Sequence, residues 1–174
     1  MGLILCQWAK ALGATIVGTV STPEKADVAR AAGCHYPVVR GEKSFVDVVR
    51  EVTDGESCAV VYEAIGKDTL QHSLDSLRPM GVCAAYCHVS GPPDPVDIIQ
   101  DLGRRGSLFI TRPAIMHYVA KRTDLEWTAR DLFKAIDGGV LKANINYEYV
   151  LKDAVKAHEA IESGKTLGAT VLIP

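Results

Sequence analysis

No apolar run in this chain of 174 residues reaches the roughly 18 that a membrane span requires. Net positive charge is also missing. With 19 Lys and Arg against 21 Asp and Glu the formal charge is -2, which leaves no electrostatic footprint for a nucleic-acid backbone. The opening "MGLILCQWAKALG" lacks the basic region and long apolar core of a secretory signal and runs at helical spacing into a strand. No internal repeat or low-complexity tract interrupts the sequence. No Ser/His/Asp arrangement or carboxylate pair stands at a spacing that reads as catalytic, as expected where a cofactor performs the chemistry and the protein positions it. A cysteine framework is absent too. The count is odd, and of Cys6, Cys34, Cys58, Cys83 and Cys87 all but the last lie in apolar segments, the usage of reduced thiols in a cytoplasmic protein. Cys83, Cys87 and His88 resemble a metal group, but residues four apart on a strand lie ~13 Å from each other, too far to share one ion.

What is present is an alternation of periods. Ile4, Trp8, Ala11 and Leu12 form a helical stripe that Gly13 closes, and the β-branched "TIVGTV" follows. Thr22-Pro23 is an N-cap with proline at the first helical position, opening a helix that runs to Gly33. "HYPVV" reads as a strand, Ser44 to Thr53 as a helix, and "CAVVYEAI" as a continuous apolar strand buried on both faces. "KDTLQHSLDSL", "GVCAAYC", "DPVDIIQDLG" and "GSLFIT" continue the rhythm as helix, strand, helix, strand. Short connections between alternating strands and helices predict a parallel sheet covered by helices. A capping box at Thr123 and Glu126 then predicts a long helix carrying Leu125, Ala129, Leu132, Phe133 and Ile136, ahead of a strand "INYEYV", a helix and a final strand "ATVLIP".

Open parallel sheets bind ligands at the carboxyl ends of their strands. After "ATIVGTV" come Ser21, Thr22 and Lys25, with no acid from Ala14 to Pro23. A hydroxyl and a lysine suit a 2′-phosphate better than a free ribose diol; they equally suit an N-capped helix with an exposed lysine. After "CAVVYEA" come Ile65 and Gly66, either a close backbone approach to a flat ligand or a simple turn. After "GVCAAY" comes Cys87-His88, whose imidazole is either a donor to a ligand or a solvated loop residue.

"GLILCQWAKALGATIVGTVSTPEK", "VVYEAIGKDTLQHSLDSLRPMG", "RRGSLFITRP" and "LKDAVKAHEAIESGKTLGATVLIP" together resemble the NADPH:quinone oxidoreductases, the zinc-independent, zeta-crystallin-like branch of the medium-chain dehydrogenases. The resemblance runs the length of the chain. It implies an α/β fold: a Rossmann-like, doubly wound parallel sheet of order 3-2-1-4-5-6 that lacks its first strand. It also implies two parts, an incomplete dinucleotide-binding domain over 1–142 and, over 143–174, a C-terminal αβ segment that in the family packs on a catalytic domain. In the family a loop like "AAGGVG" leads into this first helix, so Gly2 matches its last glycine.

The cofactor contacts carry over unevenly. Lys25 matches the lysine that meets the 2′-phosphate, and Ile65 a residue lining the nucleotide. Tyr86 stands where "FGN" has Phe, and His88 replaces its Asn. Arg40 falls where a tyrosine helps hold the adenosine end. Gly164 falls where some relatives have arginine, with Lys165 beside it. The resemblance implies NADPH as cofactor, a quinone or similar enone as substrate, a cytoplasmic location, and a homodimer joined through the edge strand Gly106 to Thr111. Two outcomes are expected to compete: the cofactor-binding part of such a reductase, or a non-catalytic remnant that dimerises or binds nucleotide weakly. With its first strand missing, the chain alone is expected to reduce no quinone, and Val150, Ile161, Val171 and Ile173 are expected to pack on the remaining sheet, pack on a second copy, or stay exposed.

Overall fold

The computed structural model describes residues 1–164 and 166–174, so Lys165, one of the expected cofactor ligands, lies outside the described residues. The alternation of helices and strands is borne out. In chain order the elements are α1 (Gly2–Ala11), β1 (Val17–Val20), α2 (Pro23–Ala31), β2 (Tyr36–Val39), α3 (Phe45–Val52), β3 (Cys58–Glu63), α4 (Leu70–Asp75), β4 (Leu77–Ala85), β5 (Phe109–Thr111), α5 (Ile115–Tyr118), α6 (Arg122–Asp137), β6 (Ile145–Val150), α7 (Ala154–Glu162) and β7 (Ala169–Ile173). They form three sheets, β1-β2, β3-β4-β5 and β6-β7; the last two are parallel throughout. By its contacts the chain divides into two compact units, 1–37 with 131–174, and 38–130.

In the first unit, local chemistry sets the ends of the helices. Gly13 follows α1 in the left-handed region at φ 79°. The Thr22 hydroxyl accepts the Lys25 amide at 3.3 Å, with Pro23 opening α2. The Gln7 side chain clamps one peptide from both sides: its Nε2 donates to the Lys142 carbonyl at 3.2 Å and its Oε1 accepts the Lys142 amide at 2.7 Å. The buried residues are small or single: Ala26, Ala29, Cys34, Leu141 and Ala157. The expected apolar stripe of α1 is not a buried face, since no residue of that helix is buried and Leu12 points to solvent. The segment β6-α7-β7 is a parallel βαβ unit whose Val150, Ile161 and Ile173 stay exposed.

In the second unit, Leu70 and Leu74 of α4, Leu77 and Cys83 of β4 and Leu108 form the core, with Cys58, Val61, Ala85, Val96, Leu102 and Ile110 packed around them. Arg105 ties the elements over this core, reaching Asp75 at 2.9 Å, Asp101 at 3.0 Å and the Gln71 side chain at 2.8 Å.

Four expectations need correction here. The strand "CAVVYEAI" is not buried on both faces: one face of β3 leaves Val60 45% and Tyr62 62% exposed, and among the described residues β3 pairs only with β4. "GSLFIT" is a strand only from Phe109; Leu108 and Ile110 turn into the core, so Phe109, 59% exposed, is the one apolar side chain of the three that this edge presents. "DPVDIIQDLG" contains a π-helical turn at Ile98–Gly103, widened where the Asp97 carboxylate takes the amides of Ile99 and Gln100 at 2.8 and 2.9 Å. Finally, α6 starts at Arg122, so Thr123 lies inside its first turn and is no cap; Leu125, Leu132, Phe133 and Ile136 along it are exposed.

Leu74 has no exposed surface. Leu74→Ala is expected to cost ~2–5 kcal/mol, read as a lower urea midpoint with an unchanged slope.

Candidate functional site

The expected ligand-binding residues fall into two groups, one in each unit. In the first unit Gly2 is the opening residue of α1, and its exposed amide lies in the first helical turn. Ser21 and Thr22 lead from β1 into α2, with Ser21 exposed and Lys25 half-buried one turn on. The Lys25 ammonium donates to the Gly164 carbonyl at 2.6 Å. The structure therefore brings together Lys25, which the resemblance matches to the lysine that meets the 2′-phosphate, and Gly164 after α7, which falls where some relatives have arginine. An ammonium has three donors, so two remain for a ligand. Glu24, an acid next to this group that the sequence reading passed over, hydrogen-bonds the Thr22 hydroxyl and its own amide, which hold its carboxyl below the usual range.

In the second unit the loops after β3 and β4 are laced together. Val89 N donates to Ala64 O at 3.2 Å, Ser90 N and Oγ donate to Ile65 O at 2.8 and 2.9 Å, and Lys67 N donates to Gly91 O at 3.1 Å. This places Ile65, Gly66 and His88 side by side. Gly66 sits at φ 93°, and a Cβ there would stand 2.6 Å from the Gly91 carbonyl and 2.9 Å from the His88 Cα. Only glycine fits so close a crossing. The imidazole of His88 is exposed. Tyr86 is half-buried, its carbonyl held by Arg112 Nη1 at 2.7 Å. Its phenol is pushed up, first by burial and then by Cys87 and Glu63. Arg40 is exposed just after β2.

The organiser of this second group is a residue that sequence reasoning missed. Glu63 ends the apolar strand β3 and is 4% exposed. Its Oε1 accepts the amides of Ile65 at 2.6 Å and Gly66 at 3.1 Å and the Thr69 hydroxyl at 2.8 Å; its Oε2 takes the Ser73 hydroxyl. Four donors thus satisfy a buried carboxylate with no cation among them. The signal was present as an acid closing an apolar run, with hydroxyls six and ten residues on. The same carboxylate and Cys58 help burial push the Cys83 thiol up to about 11. Among the described residues no three His, Cys, Asp or Glu side chains gather as a metal site would need, and Cys83 is buried while Cys87 faces out.

The sequence model of the zinc-binding dehydrogenase family matches residues 1–121. A 2-haloacrylate reductase of Burkholderia sp is 49% identical over 174 residues, covering 100% of this chain and 52% of that protein. A quinone oxidoreductase of Salmonella typhimurium is 43% identical over 176 residues, covering 100% of this chain and 54% of that protein. Among solved structures, Escherichia coli quinone oxidoreductase complexed with NADPH superposes with a TM-score of 0.93 at 40% identity, over 99% of this chain and 53% of that one. The chain spans about half the length of these relatives, and the likeness establishes the α/β fold as the Rossmann-like cofactor-binding type.

Glu63→Ala strands four donors around one vacated site. It is expected to destabilise the chain by ~3 kcal/mol or more, while Glu63→Gln, which keeps an acceptor oxygen, loses roughly half as much. Urea unfolding of the two variants checks the order.

Proposed function

The chain belongs to the quinone oxidoreductases within the zinc-binding dehydrogenase family, and we propose that it is the NADPH-binding part of an enzyme that delivers hydride to a quinone or a similar enone. The observation that carries the reading is the Ser21–Lys25 turn: a hydroxyl, a capped helix start and a lysine after β1, with no acid before Pro23. A charge there favours a 2′-phosphate over a free ribose hydroxyl. The Gly66 crossing supports the second half of the fit by holding Ile65 and His88 side by side where β3 and β4 end.

When bound, NADPH supplies the hydride. The work of this chain's residues is to bind and orient. Gly2 offers the first-turn amide of α1 to the pyrophosphate. Ser21 and Lys25 hold the 2′-phosphate, with Lys165 and Arg40 as further cations. Ile65, Gly66, Tyr86 and His88 line the nucleotide, and Glu63 keeps that wall in place. Residues 143–174 serve as the segment that returns to a catalytic domain. Among the described residues no helix is long and apolar enough to cross a membrane.

The test is titration of the chain and of Lys25→Ala with NADPH and NADH, followed through Trp8 and Trp127 fluorescence. One charge-assisted contact is worth about 1.5–3 kcal/mol, so NADPH should bind at least about tenfold tighter than NADH, and the variant should lose that preference. Equal affinities, or an unchanged preference in the variant, would overturn the reading.

The same proposal includes a homodimer through β5. This short edge has no strand beyond it among the described residues and carries exposed Phe109 without a guarding lysine. Light scattering at micromolar concentration is expected to give a dimer, and Phe109→Glu a monomer.

A further inference from the structure

The carboxyl ends of β4 and β5 lie side by side, with Ala84 opposite Thr111 at the last pair of the register. Arg112 follows β5 directly and ties this end of the sheet together. Its Nη1 donates to the Tyr86 carbonyl just beyond β4 at 2.7 Å and to the Pro113 carbonyl at 3.1 Å. A guanidinium has five donors. Nη1 spends its hydrogens on backbone, while Nε and Nη2 meet no partner among the described residues. Arg112 also forms no ion pair among them, whereas Arg105 of the same unit is held by Asp75 and Asp101. The turn from β5 into α5 leaves an open cleft of about 320 Å³, lined by Thr111, Arg112, Pro113, Ala114, His117 and Tyr118. That lining combines one permanent cation, an imidazole, two hydroxyls and two small apolar residues, and it contains no acid.

We propose, on the reading of this chain as the NADPH-binding part of a reductase, that the cleft holds the carboxylate of a short conjugated acid, with Arg112 as the residue that selects it. The hydride acceptor then carries a carboxylate beside its double bond. Three features of the cleft lead there. The Nε–Nη2 edge of a guanidinium matches the two oxygens of a carboxylate, a geometry that the point charge of a lysine does not offer. Because Nη1 is already pinned to two carbonyls, less side-chain freedom is lost when the other edge takes a ligand. The volume stands at the small end of the roughly 300–1,000 Å³ of ligand pockets, which suits a molecule of a few carbons better than a fused-ring quinone. Its place in the fold fits as well. The Arg112–Tyr86 bond joins the cleft to the loop after β4, which carries Tyr86 and His88, and parallel sheets receive ligands at this end of their strands. A carboxylate on Arg112 sets the rest of the acid beside that loop, with His117 and the Thr111 and Tyr118 hydroxyls as further donors.

The test titrates the isotope-labelled chain with crotonate and with its neutral counterpart crotonamide, following the Arg112 Nε–H and His117 ring signals by NMR. Crotonate is expected to move both signals together and to saturate them, with crotonamide at least about tenfold weaker. Arg112→Lys keeps the charge without the fork and should weaken crotonate about tenfold; His117→Gln, outside the clamp on Tyr86, should weaken it less. The same two signals responding alike to crotonate and crotonamide, responding equally to sodium chloride at the same concentration, or shifting without saturation would overturn the proposal. The unmutated chain decides this even if a variant does not fold. The crotonate titration needs no cofactor, so a failure of NADPH to bind, read separately through tryptophan fluorescence, falls on the cofactor reading and not on the cleft.

Discussion

A carboxylate that has left water must find several donors, and in the second unit the turn after β3 and the start of α4 follow from that requirement. Glu63 stands where β3 ends, and its oxygens draw in the amides of Ile65 and Gly66 and the hydroxyls of Thr69 and Ser73. Those four groups lie on the turn after β3 and on the approach and first turns of α4. The helix that supplies Leu70 and Leu74 to the core is thereby registered against the strand that supplies Val61. The turn, once held, can be crossed by the loop after β4, and Gly66 permits the crossing. The core and the loop crossing depend on one buried carboxylate, and this is why a polar residue persists at the end of an apolar strand.

The first unit is held differently. Its buried residues are small, so helices and strand approach closely but bury little apolar surface each. Specific polar clamps carry more of the definition: Gln7 on the Lys142 peptide, Thr22 on the start of α2, Lys25 on the Gly164 carbonyl. The last of these gives the Lys25 ammonium a defined position. Much apolar surface remains exposed, including Val60 and Tyr62 on β3 and the residues along α6.

The order of helices and strands was legible because it rests on local causes. Thr22-Pro23 caps α2, Gly13 ends α1, and the β-branched run at 16–20 becomes β1, whatever surrounds them. The Ser21–Lys25 turn and the Ile65-Gly66 step were legible for the same reason: both follow directly on strands, where an open parallel sheet presents its loops. The residues of the long family motifs were sufficient to identify the kind of protein.

What the sequence left undecided depends on partners distant along the chain. Whether "CAVVYEAI" is enclosed on both faces depends on what packs over each face of the sheet, and Ala59, Val60 and Tyr62 of β3 face solvent. Whether Leu108, Phe109 and Ile110 form an apolar edge depends on where pairing with β4 begins, and a start at Phe109 turns two of the three inward. Periodicity reports that a face is apolar, and tertiary contact decides what covers it. The role of Glu63 is of the same kind. A carboxylate's donors are set by distances in space, and the Thr69 and Ser73 hydroxyls reach Glu63 only when the start of α4 has packed against the end of β3.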